Sequence, residues 1–217
     1  MNSTTQTKRT AQKKKRMTHL ERTELSDSKM FEATEQLILT VGTQKLTLKE
    51  VGEKAGYSRG LANSRFGNKD ELFLKLAARC QALWVEEVTK ARRDKTGIEA
   101  LLATMDAAVN YANGFPVQAR VMYILWFESV GSSSEMKLQL AAFHAKARKD
   151  LSNLIVQAKA EGDVSADTDE QLIAITLTST LFGLVYQYVV NPEAISLAEL
   201  IQGVKLQLTA ILNTSSK

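Results

Sequence analysis

Between Thr47 and Lys69 the chain gathers side chains that can donate hydrogen bonds or carry positive charge: Thr47, Tyr57, Ser58, Arg59, Asn63, Arg65 and Lys69, with Gly60 and Leu61 among them. Hydroxyl, amide, guanidinium and ammonium groups are the donors that hold phosphate oxygens and read base edges. The chemistry they suggest is binding, not bond-making. The chain has two histidines, His19 in a basic segment and His144 in a charged helix, so no Ser/His/Asp set and no metal-ligand spacing can be assembled. The single cysteine, Cys80, excludes an internal disulfide or multi-cysteine metal centre. Four residues after Leu76, it reads as a small buried hydrophobe in a reducing compartment rather than a redox sensor. With no acid–base pair and no phosphate loop, neither an enzyme nor a bound cofactor is expected.

The elements that position these donors follow from capping chemistry. Thr47 and Glu50 form a capping box, which starts a helix at Leu48 carrying Leu48, Val51 and Ala55 at helical spacing. Gly56 can take positive φ and turn the chain. Ser58 then caps a second short helix whose Leu61, Ala62 and Phe66 can face inward. Asn68 and Glu71 repeat the capping logic for a third helix from Lys69. Upstream, from Ser28, Met30, Ala33, Leu37 and Val41 with Phe31, Thr34 and Ile38 give one apolar helical face, closed by Gly42. Two short helices around a tight glycine-containing turn make a helix-turn-helix, although any αα corner uses the same turn.

The residues across that turn are more specific. Ala55, Gly56, Tyr57, Ser58 and Gly60, followed by Phe66, Lys69, Asp70 and Leu72, resemble the N-terminal domain of the TetR family of transcriptional regulators over residues 28–76. That family usually has a large aliphatic, a Tyr, and a His or Tyr where this chain has Ala62, Asn63 and Arg65, so a tyrosine–phosphate contact is not carried over to Asn63. The resemblance implies a dimer that places the helix of residues 58–65 in the major groove of an operator. It places Lys69 on a phosphate, with Thr47 and Tyr57 as further phosphate candidates, and Arg59 and Leu61 on base edges. For Tyr57, packing in the turn is the alternative.

Composition points to an all-α protein: 217 residues, 44% hydrophobic, two prolines, and no strand pair. Positive charge gathers at the N-terminal side. Residues 1–24 carry seven Lys/Arg against two acids, residues 25–95 thirteen against ten, and residues 96–217 eight against twelve. A polyanion-binding domain joined to a slightly acidic partner domain has this asymmetry. Residues 1–25 are too polar to repay chain entropy, so disorder or a frayed helix is expected there, with a possible role as a basic arm on DNA. No apolar segment follows the basic one as in a secretory signal, and a cytoplasmic location is expected. The organisation is then a basic tail (1–25), a DNA-binding domain (26–76), and a helical domain (77–217) for ligand binding and dimerisation.

In the second domain, helices are read over residues 98–114, from Pro116, and over 135–160, the one after Pro116 apolar all round and hence enclosed. Thr168 with Gln171 is read as the cap of an uncharged helix reaching Pro192. That helix is long enough for a membrane, but Thr176, Thr178, Ser179, Thr180 and Gln187 make it too polar and basic anchors are lacking. Ser196 with Glu199 caps the last helix. These last two helices suggest a four-helix bundle across a two-fold axis, through Thr176, Ser179, Gly183, Leu197, Leu200, Val204 and Leu208. By the family resemblance a ligand pocket lies among the middle helices, and the apolar cluster Met105, Tyr111, Phe115, Met122, Tyr123, Trp126 and Phe143 is where it is placed, for an apolar or aromatic effector. Core packing is the competing reading of that cluster. The expected function is a ligand-released repressor on a palindromic operator. An all-helical hydrophobic-ligand carrier and a non-regulatory DNA-structuring protein are the alternatives.

Overall fold

The computed structural model describes residues 17–131 and 135–214, which form nine α-helices and no strand. They are α1 (His19–Lys45), α2 (Leu48–Lys54), α3 (Arg59–Phe66), α4 (Lys69–Arg92), α5 (Gly97–Gly114), α6 (Pro116–Val130), α7 (Glu135–Glu161), α8 (Glu170–Val190) and α9 (Leu197–Thr214).

α1 starts nine residues before the position its apolar pattern predicts. Thr18 forms a capping box with Glu21: the Glu21 amide donates to Thr18 Oγ1 (3.2 Å) and the Thr18 amide to Glu21 Oε2 (2.7 Å). Hydrogen bonding from the Thr18 amide, and then from its side chain, holds the Glu21 carboxyl below its usual pKa. Residues 19–25 are therefore helical where disorder or a frayed helix is expected. The extension also has tertiary work: Ser26 is buried, and Arg65 of α3 reaches Thr23 and Asp27. The expectation for residues 1–16 lies outside the described residues. Gly42 leaves helical geometry (φ 80°), as its position predicts, and helical bonding resumes over residues 43–45.

α4 is the spine. Its first half buries Leu72, Phe73 and Leu76 under α1–α3, and its second half packs along α5. Buried apolar residues run without a break from Met30 to Leu212, so a division at residue 76 falls inside one helix and one core. Cys80 sits in that core with no exposure, and burial pushes its thiol up to about 12, which suits a packing residue. α6 is enclosed on most of its surface, but Phe127 and Val130 emerge at 57% and 64% exposure, contrary to the expected full enclosure. α8 is capped by Asp169, one residue after the predicted Thr168: Asp169 Oδ1 accepts from the Gln171 and Leu172 amides, both at 3.0 Å. A carboxylate that accepts two amides displaces a hydroxyl that could accept one. α8 is long and apolar enough to cross a membrane, and here it packs on α5, α6, α7 and α9.

Candidate nucleic-acid interface and ligand cleft

The turn is built as its residues require. Thr47 Oγ1 accepts from the Glu50 amide (3.3 Å) while the Thr47 amide donates to Glu50 Oε2 (2.9 Å), and Gly56 takes φ +79°. Ser58 Oγ accepts from the Leu61 amide (3.2 Å) and starts α3. One determinant is absent from the motif-based reading: a Cβ on Gly52 would lie 2.9 Å from the Ser58 carbonyl oxygen, so only glycine lets α2 approach the start of α3 this closely.

On α3, Ala62 and Phe66 point inward, and Leu61 and Tyr57 are half-buried against the same core. Tyr57 thus packs on the core while part of its side chain stays exposed. Arg59, Gly60, Asn63 and Ser64 form the exposed side, Ser64 being a position that sequence reasoning left out. No acid occupies the first turn of α3, so its positive end and Arg59 face solvent uncompensated. Two predicted contact residues have partners inside the protein. Arg65 donates to Thr23 Oγ1 (2.9 Å) and pairs with Asp27 (3.5 Å). Lys69 Nζ donates to the Thr43 and Gln44 carbonyls (3.2 and 3.3 Å), so it caps the end of α1. Both of these fix α3 and α4 against α1.

α1 is also tied to α6. Buried Glu35 accepts from Gln118 Nε2 (2.7 Å), and Thr43 donates to Glu128 (2.5 Å). Burial raises the Glu35 carboxyl's pKa, against the opposing pull of Arg79 and of the Gln118 bond. Arg79 in turn lies over the Phe31 ring, 5.4 Å from its centroid.

The second half contains a cleft of about 840 Å³ between α4 and α7, with α5 and α8 behind it. It exists because the facing helices present small residues, Ala78 and Ala82 from α4 and Ala142 and Ala147 from α7, where larger ones would close the gap. Trp84, Val88, Phe143, Leu181 and Phe182 supply apolar wall, and Arg92, Arg93, Lys146 and Asp150 lie at one end. Of the residues predicted to line a pocket, only Phe143 lines this cleft. Tyr111, Met122, Tyr123, Trp126 and Phe143 instead surround a void of about 20 Å³ beside the cleft, and Met105 and Phe115 line neither space. The cause is close packing: the Tyr123 hydroxyl donates to the Phe182 carbonyl (2.6 Å), Trp126 meets Phe143, His144 and Phe182 at 5.4–5.6 Å, and Phe115 meets Tyr111 at 5.8 Å. Burial pushes the Tyr111 and Tyr123 hydroxyls up and the His144 imidazole down, all toward their neutral forms. The cleft was signalled by its stripe, Ala78, Ala82, Val85, Thr89 and Arg92 at three- and four-residue spacing, too small and polar to be a packing face.

α8 and α9 leave an apolar surface. Leu172, Ile175, Tyr186 and Val190 on α8 and Leu200, Leu206 and Ile211 on α9 are exposed, with Thr176 and Ser179 between them and Gly183 and Val204 half-buried. Leu197 and Leu208 do not belong to it. At 2% and 5% exposure they pack inward with Ile201 and Leu212, on a helix that Lys205 pairs to Asp106 of α5. Among the described residues no cluster of His, Cys, Asp or Glu could hold a metal ion.

A short capped helix offering an exposed, cation-bearing face, carried by a helical second half with a cleft, defines a helix-turn-helix DNA-binding transcriptional regulator. Residues 31–76 match the model of the bacterial regulatory proteins of the tetR family. Residues 97–213, just over half the chain, match that of the C-terminal domain of BetI-type transcriptional repressors. The chain belongs to the TetR family. Members regulate transcription by binding DNA operators, respond to small-molecule effectors, usually as dimers, and are in general soluble non-enzymatic proteins of the cytoplasm. Solved structures share the fold. NalD, the secondary repressor of the MexAB-OprM multidrug efflux pump in Pseudomonas aeruginosa, is 17% identical with TM-score 0.68, over 86% of this chain and 96% of that one. The fatty acid degradation regulator FadR from Bacillus halodurans is 18% identical with TM-score 0.70, over 85% and 94%. SmeT in complex with triclosan is 19% identical with TM-score 0.70, over 85% and 89%. No curated protein matches the chain by sequence.

Proposed function

We propose that this regulator is a repressor that binds a palindromic operator as a homodimer and leaves it when a small molecule enters the α4–α7 cleft. The observation that carries the reading is the pairing of α3's exposed face with a cleft that shares α4 with it. Arg59, Gly60, Asn63 and Ser64 are exposed at the front of α3, and the helix that follows lines the 840 Å³ space. In the groove, Arg59 reads a base edge, Gly60 admits close approach of the backbone, Ser58 and Thr47 serve phosphates, and Asn63 stands on the same exposed side. Arg65, Leu61, Tyr57 and Lys69 act first by holding α3 in place. The exposed apolar stripes of α8 and α9 supply the two-fold contact.

Ligand entry would be felt at the DNA face through α4, which lines the cleft, and through α6, bonded to α1 at Gln118 and Glu128. A ligand can shift the equilibrium only by its differential affinity for the two arrangements, so an effector must bind the DNA-free form more tightly. The test is selection of random duplexes by the purified protein followed by footprinting. A single inverted repeat with half-sites about one helical turn apart is expected. Uniform coating would favour a DNA-structuring protein, and no retained duplex at all would favour a ligand carrier.

A further inference from the structure

The two ends of the α4–α7 cleft differ in chemistry. At one end stand three cations, Arg92, Arg93 and Lys146, against a single acid, Asp150, and that acid is already engaged by Arg92 at 2.6 Å. Arg92 is held from its other side by a 2.7 Å bond from Nε to Thr104 Oγ1, so its guanidinium is fixed before any ligand arrives. Asp150 is the only carboxylate in the lining. At the other end, eleven residues back along α4 and so about 16 Å away along its axis, Gln81 has a buried amide nitrogen without a hydrogen-bond partner. This end, lined by Ala78, Gln81, Ala82, Gln139 and Ala142, carries no charge, in contrast to the cationic one. Between the ends the wall is apolar and aromatic: Trp84, Phe143 and Phe182.

We infer that the cleft takes an elongated, largely apolar ligand ending in a carboxylate or comparable oxyanion, its charged end among Arg92, Arg93 and Lys146 and its body along Trp84, Phe143 and Phe182. The inference deepens, and rests on, the reading of this cleft as the effector site. A cationic ligand of the same shape would have to displace Arg92 from Asp150 and would still face Arg93 and Lys146. An uncharged one leaves those two cations to solvent at little cost, so charge at this end decides selectivity and salt weakens it. The volume suits a ligand of this length, since small-molecule sites span about 300–1,000 Å³.

The test uses the full-length protein with decanoate, 1-decanol and decylamine, titrated calorimetrically at low and high salt. Decanoate is expected to bind tightest, with an advantage that shrinks at high salt. Because Arg93 and Lys146 are exposed, Arg93→Ala with Lys146→Ala should weaken decanoate by about three- to tenfold and leave 1-decanol unchanged. Ala82→Trp fills the cleft from an exposed position outside the core and should abolish binding of all three while melting normally. Decylamine or 1-decanol binding as tightly as decanoate, and lost in Ala82→Trp, would overturn the charge assignment while leaving the cleft as a ligand site. Binding unaffected by Ala82→Trp, or no binding by any probe, would overturn the assignment together with the reading beneath it.

Discussion

Two glycines of the helix-turn-helix should respond to alanine with opposite sign. On Gly52, a Cβ would meet the Ser58 carbonyl oxygen at 2.9 Å, its carbon at 3.1 Å and the Arg59 nitrogen at 3.4 Å. All three are backbone atoms, so no side-chain rotation relieves the contact and the start of α3 must move. Overpacking of this kind costs about 1–3 kcal/mol, from which the better helix propensity of alanine returns about 1 kcal/mol. A net loss of up to about 2 kcal/mol remains, or up to roughly 8 °C in melting temperature for a chain of this size. On Gly60, a Cβ meets nothing closer than Ser58 Oγ at 3.8 Å, so Gly60→Ala should gain about 0.5–1 kcal/mol. Both variants should lose operator affinity for different reasons: Gly52→Ala because α3 is displaced, Gly60→Ala because a methyl group stands on its exposed face. Thermal melting and operator titration of the two proteins measure this. A Gly52→Ala protein that melts no lower than the parent and binds the operator unchanged would refute the account of how α2 and α3 are set against each other.

Arg59→Ala should weaken the cognate operator by about 1–3 kcal/mol, relax base preference and leave melting unchanged, whereas Lys69→Ala should lower the melting temperature because two carbonyls at the end of α1 lose their donor. Equal loss on cognate and random duplexes with Arg59→Ala would remove it from base reading. Leu206→Glu or Ile211→Glu, on the exposed face of α9, should give folded monomers by sedimentation, while Leu208→Glu should unfold the protomer; a dimer that survives both surface changes would place the contact elsewhere. Because burial raises the Glu35 pKa, the folded state holds this proton more tightly than the unfolded state, so the contribution is favourable below the ordinary value of 4.5 and is lost as pH rises through the folded value. Glu35→Gln should therefore stabilise the protein at neutral pH and make no difference in acid; denaturant titration showing a loss at neutral pH would mean that the attraction of Arg79 outweighs burial.

The sequence by itself determined the parts that depend on neighbours three or four residues away. Thr47 with Glu50, Ser58 with the Leu61 amide, Asn68 with Glu71 and positive φ at Gly56 are bonds and backbone states settled inside one turn of chain, so the helix-turn-helix was legible residue by residue. The helical build of the second half was legible for the same reason, from apolar periodicity and from Pro116 and Gly114 at the α5–α6 junction. Tertiary structure decided which side of each helix meets what. Leu197 and Leu200 both belong to an apolar stripe, and only the crossing of α9 over α5 makes the first core and the second surface. Arg65 and Lys69 carry charges suited to DNA, yet their partners lie on α1, 42 and 26 residues away in the chain at Thr23 and Thr43. The aromatic cluster around Trp126 closes on itself because its rings fit, and the cavity opens one helix face away, where alanines of α4 and α7 stand opposite one another. A cavity is volume left unfilled between two surfaces, and a single strand of sequence specifies each surface but not their distance.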